Sequence, residues 1–378
     1  MLGRAERFIV NPSANQTHPC LGFCHSLLAL RIECNDCIER GRESRRLSCS
    51  LSGLRSMPDS LRSQAPDATE PSDPIDTAAD DLDSPACVLV FNANDPSGSG
   101  GLSADIGAIA SVGAHALPVV TGSYARDTAE ILDHFAFDEE AVAEQARVVL
   151  EDIEVQIFKV GFVGSAENLS AIASIAADYA ETPLVAYMPD LSWWDEHRIE
   201  EYLDAFRELM LPQTSVLVGN HSTLSRWLLP DWSSDRRPTA RDIAGAAATM
   251  GVSYTLVTGI AASDQHIDNT LASPNSIVAS ARYERFDAVF SGAGDTLSAA
   301  LAALLASGND IHDAFREAMS YLDRSLDGGF RPGMGHAIPD RLFWAQADAS
   351  EASRDAPDES SAASPAENFG MPPSDTQH

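Results

Sequence analysis

Lysine is almost missing from this chain: its 378 residues hold a single one, Lys159, so arginine carries nearly all the basic charge. Basic residues are scarce altogether, 25 Lys and Arg against 56 Asp and Glu, which leaves a net charge of −31. A nucleic acid is bound by neutralising its phosphates, so this balance argues against a polynucleotide partner. An anionic substrate has to be met locally, by backbone amides or by one placed cation. Long apolar runs are also missing. None reaches the ~20 residues that span a bilayer, and no short apolar block is flanked like a secretory signal. The reading is of a soluble, cytoplasmic protein with no membrane partner. Cysteine is scarce beyond the first fifty residues: Cys20, Cys24, Cys34, Cys37 and Cys49 precede residue 50, and the sixth is Cys87.

What is present falls into four parts. Residues 1–56 hold eight Arg against five acids. The Cys20, Cys24, Cys34 and Cys37 spacing, with His18 and His25 nearby, matches a small zinc site. The segment has little hydrophobic periodicity, however, and its composition matches nothing downstream. No metal ligand is therefore assigned, and translation is expected to begin at Met57. Residues 57–85 carry eight acids and one Arg among many Pro, Ser and Ala, as expected of a disordered acidic leader. A globular part follows over 86–345, and a solvated acidic tail over 346–378.

Within 86–345, short apolar runs alternate with patterns of helical period. Strands are expected at Cys87–Phe91, Ala116–Thr121, Ile157–Val160, Leu184–Tyr187, Ser215–Val218 and Tyr254–Thr258. Helices are expected at Leu102–Val112, Glu139–Asp152, Ser165–Tyr179, Ile199–Leu209 and Ala240–Met250, and over the small-residue run Leu297–Ser307. This alternation implies an α/β fold with a mainly parallel sheet covered on both faces. Ligands of such sheets bind beyond the carboxyl ends of the strands.

Two glycine-rich turns stand at such places. The first strand leads into Asn92-Ala-Asn-Asp-Pro-Ser-Gly-Ser-Gly-Gly101 and a helix containing Asp105. This is neither a Walker loop, lacking the Lys-Ser/Thr ending, nor the dinucleotide fingerprint. The second turn, Ser291-Gly-Ala-Gly-Asp-Thr296, opens the small-residue helix. A glycine turn at a helix start offers unpaired amides and the positive end of the dipole, which suit a phosphate or a developing anion. Asp295 is then placed beside that anion to take a proton.

The segments Asp95-Pro-Ser-Gly-Ser-Gly-Gly-Leu-Ser-Ala-Asp105, Lys159-Val-Gly-Phe162, Gly292-Ala-Gly-Asp-Thr-Leu-Ser-Ala-Ala-Leu-Ala-Ala303 and Gly335-His336 hold their order across the globular part. In that order they resemble the hydroxymethylpyrimidine and phosphomethylpyrimidine kinases of thiamine synthesis. The resemblance implies a ribokinase-like fold without a separate lid domain, ATP and Mg²⁺ as cofactors, a small-molecule substrate and a homodimer. It places catalysis at Gly292, Ala293, Gly294 and Asp295, with Asp295 as base. It places the substrate at Ala93, Asp95, Gly100, Asp105 and Arg126, and the nucleotide at Lys159, Asn220, Thr258 and Gly259.

Several positions depart from the family's pattern. Asp295 stands where these kinases usually have Cys, and Arg126 stands where they have a Gln that pairs with the pyrimidine edge. Arg offers only donors, whereas Gln offers both donors and an acceptor. Asn220-His-Ser-Thr223 lacks the closing Glu that helps organise Mg²⁺, Thr258-Gly259 lacks the usual Lys, and Met188-Pro-Asp190 replaces Asp-Pro-Val. The expected activity is ATP-dependent phosphorylation of hydroxymethylpyrimidine, with a second phosphorylation, of the monophosphate, left open. The alternatives are a kinase for another small alcohol, a vitamin or a sugar, and a homologue that binds pyrimidine or nucleotide without transfer.

Overall fold

The computed structural model describes residues 84–345 except 264, all within the unit Ala78–His378. The zinc-like cluster, the extension over 1–56 and the tail over 346–378 lie outside the described residues, as does the acidic leader save Ser84 and Pro85.

One sheet holds nine strands: β1 (Cys87–Asn94), β2 (His115–Arg126), β3 (Ile131–Ala136), β4 (Ile157–Val160), β5 (Leu184–Met188), β6 (Val216–Asn220), β7 (Tyr254–Ser263), β8 (His266–Ala272) and β9 (Ile277–Glu284), in the order β3-β2-β1-β4-β5-β6-β7-β8-β9. The six central strands from β2 to β7 run parallel, while β3 at one edge and β8 and β9 at the other pair antiparallel. All six expected strands are present. The three antiparallel ones were not foreseen, because none is a continuous apolar run: Asp133 and His134 interrupt β3, Asp268, Asn269 and Thr270 interrupt β8, and β9 reads exposed and covered in near alternation.

Among the described residues eight α-helices cover the sheet: α1 (Gly101–Ser111), α2 (Glu139–Asp152), α3 (Ala166–Asp178), α4 (Glu196–Ala205), α5 (His221–Leu228), α6 (Ala240–Ala248), α7 (Ala293–Ala306) and α8 (Ile311–Asp327). Two apolar cores result. Residues of α2 to α6 pack with Leu89, Phe91, Phe158 and Leu217 on one face, and residues of α1, α7 and α8 pack with Val88, Val90, Ile157 and Val218 on the other. Alternate residues of β1 thus serve opposite cores, as the period of a strand requires. Helix α7 is buried continuously from Thr296 to Leu304, which fits a helix that is apolar or small all round. It starts at Ala293, four residues before its apolar run, and so carries the second glycine turn into the middle of the sheet.

The chain leaves β1 through α1 for β2 on one side and later returns as β4 on the other. The crevice at the carboxyl ends of β1 and β4 is therefore the topological switch point, where ligands of such sheets bind.

Candidate active site

At the end of β1, Asn92 is 1% exposed and its amide nitrogen donates to two carboxylates: Asp105 Oδ2 at 2.8 Å and Asp295 Oδ1 at 3.0 Å. Asp105 comes from α1 and Asp295 from the first turn of α7. Lys159, on β4 and fully buried, lies between the same two acids, with Nζ 2.7 Å from Asp105 Oδ1 and 3.3 Å from Asp295 Oδ1. The sole lysine of the chain is thus the cation that bridges the two carboxylates, of which Asp105 is fully buried. Burial pushes the Asp105 carboxyl up to about 6 against the pull of Lys159, and the neighbouring Asp295 charge adds to the rise. Beneath them, burial first and then the Asp295 charge raise the Tyr187 hydroxyl above its ordinary range.

Asp295 retains one oxygen with spare capacity. Its Oδ1 serves Asn92 and Lys159, whereas Oδ2 accepts only from the Gly101 amide, at 3.2 Å. The N–H groups of Ala293, Gly294 and Asp295 precede the first bond of α7, from Thr296 N to Gly292 O at 3.0 Å, and so have no acceptor within the helix. Gly292, the N-cap, has φ 83°, and a Cβ there would overlap the Ser99 carbonyl. Only glycine allows this turn and this approach together. Gly294 likewise leaves the room taken by the Tyr187 hydroxyl.

The first turn is organised around Asp95, 2% exposed. Its Oδ1 accepts from Ser97 N at 2.9 Å and Ser97 Oγ at 2.6 Å, and its Oδ2 from Gly100 N at 2.8 Å and Ser99 Oγ at 3.0 Å. Arg126, at the end of β2, reaches over it: Nη1 lies 3.3 Å from Asp95 Oδ2 and Nη2 donates to Ser291 Oγ at 2.8 Å. Ala93 lies under this turn, its N–H donating to Asn92 Oδ1 at 2.9 Å.

The structure therefore brings together Ala93, Asp95, Gly100, Asp105, Arg126, Lys159 and the Gly292–Asp295 turn. Lys159, expected with the nucleotide residues, is grouped instead with the acids. The other three form a second cluster. Asn220 caps α5 through its Oδ1, Thr258 Oγ1 donates to the Gly219 carbonyl at 3.4 Å, and Gly259 N donates to Asn269 Oδ1 at 3.0 Å. A cavity of about 190 Å³ runs from them past Tyr283 and Phe286 to Ala293 and Gly294. The two clusters meet at the start of α7. Sequence reasoning missed Asn92, Ser291, Tyr187 and Arg341; the first two adjoin the glycine turns, and adjacency was the signal that could have found them.

Comparison with known proteins settles the lineage. The family model for phosphomethylpyrimidine kinase matches residues 95–340, from the first turn to the segment after α8. The chain belongs to that family. A hydroxymethylpyrimidine/phosphomethylpyrimidine kinase of Streptomyces coelicolor is 27% identical over 252 residues, covering 66% of this chain and 92% of the relative. The Escherichia coli kinase of the same name is 26% identical over 257 residues, covering 66% and 94%. Among solved structures, the fold is similar to Bacillus subtilis pyridoxal kinase in an ADP complex (TM-score 0.62, 20% identity, 69% of this chain and 99% of that one). It is also similar to phosphomethylpyrimidine kinase of Clostridium difficile (TM-score 0.53, 20% identity, 64% and 99%). The fold is thus the ribokinase-like one, and the family is one of phosphotransferases. No helix among the described residues is long and apolar enough to cross a membrane.

A resident magnesium ion finds little to hold it. Among the described residues the one metal-ready group is Asp310, His312 and Asp313, at the start of α8. It lies beyond the far end of the 14-residue α7 from Asp295, a helix length of about 21 Å. At Asn220, Oδ1 is engaged by Ser222 N and Oγ at 2.9 Å each, and Thr223 offers no carboxylate. Magnesium therefore enters as part of the Mg-ATP substrate.

Proposed function

We propose that this protein transfers the γ-phosphoryl group of Mg-ATP to the hydroxymethyl group of hydroxymethylpyrimidine. The observation that carries the reading is Asp295: its Oδ2 keeps a free lone pair beside three amides that have no helical acceptor. The substrate oxygen forms the new P–O bond as the bond to the bridging oxygen of ADP breaks, and its proton passes to Asp295 Oδ2. The amides of Ala293, Gly294 and Asp295 hold the charge on the transferring group, aided by the helix dipole. Lys159 and Asn92 fix Asp295 through Oδ1. The turn over Ala93, Asp95 and Gly100, with Asp105 and Arg126, forms the substrate side, and the cavity of Asn220, Thr258 and Gly259 forms the nucleotide side. A second phosphorylation, of the monophosphate, would use the same groups, and the unit is taken to be a homodimer acting in the cytoplasm.

Arg126 favours a second reading. It presents donors only and is already engaged by Asp95 and Ser291, so it pairs poorly with a pyrimidine edge that needs an acceptor. The site would then serve another small alcohol. The discriminating experiment is ADP formation by the full chain with hydroxymethylpyrimidine and, separately, with pyridoxal. Stimulation by hydroxymethylpyrimidine at the higher kcat/KM is the expected result. A preference for pyridoxal would establish the second reading. ADP formation with neither, while ADP itself binds, would mean a binding homologue without transfer.

A further inference from the structure

Arg341 belongs to none of the motifs, yet it is 9% exposed and lies between the two glycine turns. It comes from the segment after α8, where its carbonyl accepts from Ser111 Oγ at 2.6 Å and from the Tyr321 hydroxyl at 3.0 Å. Its guanidinium faces away from those anchors. Nε donates to Thr296 Oγ1 at 2.9 Å, Nη1 to the Gly98 carbonyl at 3.1 Å, and Nη2 to the Ser99 carbonyl. One side chain thus ties the first turn of α7 to the turn that follows β1. Space is kept for it: a Cβ on Gly107 would lie 3.2 Å from its Cδ, and one on Gly292 would lie 2.9 Å from Nη2.

This placement bears on the chemistry through the two carbonyls. Ser99 O sits so close to Gly292 that no side chain fits there. Carbonyl oxygens at the start of α7 oppose the amides that must hold a phosphoryl anion, because their dipoles carry negative charge to the same place. A guanidinium that engages both carbonyls offsets that charge and fixes the spacing of the two turns. Its fork serves three acceptors in fixed directions, which a lysine ammonium does not reproduce.

We propose that Arg341 is a positioning residue for phosphoryl transfer, holding the turn over residues 95–100 in register with the amides of Ala293, Gly294 and Asp295. The proposal rests on the phosphotransfer reading of that site. It assigns Arg341 no contact with substrate; its effect runs through the geometry of Ser99, Gly292 and Thr296.

The test compares the full-length wild type with Arg341→Ala and Arg341→Lys. The expected result for Arg341→Ala is a kcat lower by about 100-fold, the cost of misplacing reacting groups by roughly an ångström, with the KM for ATP changed by less than about threefold. Ethylguanidinium added to Arg341→Ala should restore part of kcat, which a merely structural loss would not allow. An unchanged kcat, or a fall that tracks the folded fraction and resists rescue, would overturn the proposal. Should Arg341→Ala fail to fold, Arg341→Lys decides: a near-wild-type kcat refutes the role of the fork, and a low kcat with an unchanged KM supports it. If the wild type itself transfers no phosphate, the phosphotransfer reading fails separately. Amide exchange in the ADP-bound proteins then tests Arg341 alone. Faster exchange in the variant confined to residues 98–101 and 292–297 supports the positioning role, and uniform loosening or no change refutes it.

Discussion

Replacing Lys159 by Met removes the cation that bridges Asp105 and Asp295 while keeping most of the side chain's volume. Lys159 and Asp105 are fully buried and 2.7 Å apart, and Asp295 is the second partner at 3.3 Å. Removing one partner of a buried pair leaves an uncompensated charge, which costs about 3–5 kcal/mol. For a domain of this size each kcal/mol moves the melting temperature by about 2–4 °C, so a fall of roughly 6–20 °C is expected at pH 7. The pH profile should change with it. The Asp105 carboxyl is held at about 6 against an ordinary 3.8, so the folded state binds this proton more tightly than the unfolded chain. Its contribution to stability is therefore full below pH 3.8 and is lost as pH rises through about 6. Without Lys159 the carboxyl rises further, and the variant should lose stability over a higher and wider pH window. Thermal unfolding followed by circular dichroism from pH 4 to 8 measures both effects. Adding Asp105→Leu to the variant should recover part of the loss, because it removes the fully buried carboxylate and leaves only Asp295, 16% exposed, without its cation. A melting point within 2 °C of wild type at pH 7, a shift of about 1 kcal/mol or less, would refute the buried-pair account.

Gly294→Ala should reduce kcat by about 100-fold, the scale of losing an oriented anion donor, because its Cβ would overlap the Tyr187 hydroxyl and displace the α7 start. Because that Cβ would also overlap the ring carbons Cζ and Cε2, Tyr187→Ala rather than Tyr187→Phe in the same chain should relieve part of that loss, and steady-state kinetics of the variants checks it. His134 gives an effect of opposite sign to Asp105. Burial holds its ring down at about 4 from 6.5, with Nε2 unpartnered, so its contribution is present above pH 6.5 and lost as pH falls through about 4. Asp133 and Arg198 act on it in opposite directions. His134→Phe should flatten the acid limb of the stability curve between those values, as read by urea midpoints across the range.

Much of this architecture was legible in the sequence, and for definite reasons. The central strands β1, β4, β5 and β6 are buried on both faces and so appear as short continuous apolar runs, which a linear scan finds. The glycine turns are legible because Gly292 requires a positive φ and a close approach that no other residue allows. Strands β3, β8 and β9 escaped notice because polar residues interrupt each of them and no single apolar run marks them. The partners within the site were the least legible. Lys159 drew attention as the sole lysine, but its position between Asp105 and Asp295 depends on β4 lying beside β1, which no local pattern encodes. Arg341 is farther still: its acceptors are Gly98, Ser99 and Thr296, more than forty residues away along the chain at the nearest.

The central claim is that Asp295 takes the proton of the attacking hydroxyl. The measurement that tests it most directly is single-turnover phosphate transfer from ATP to hydroxymethylpyrimidine by the wild type and Asp295→Asn, with ATP affinity measured in parallel. Asparagine keeps the size and the acceptor oxygen but cannot take the proton. The account predicts a transfer rate lower by 10²- to 10⁴-fold or so, with ATP binding changed little. Transfer by Asp295→Asn at close to the wild-type rate would contradict it and move the proton to another group in the site.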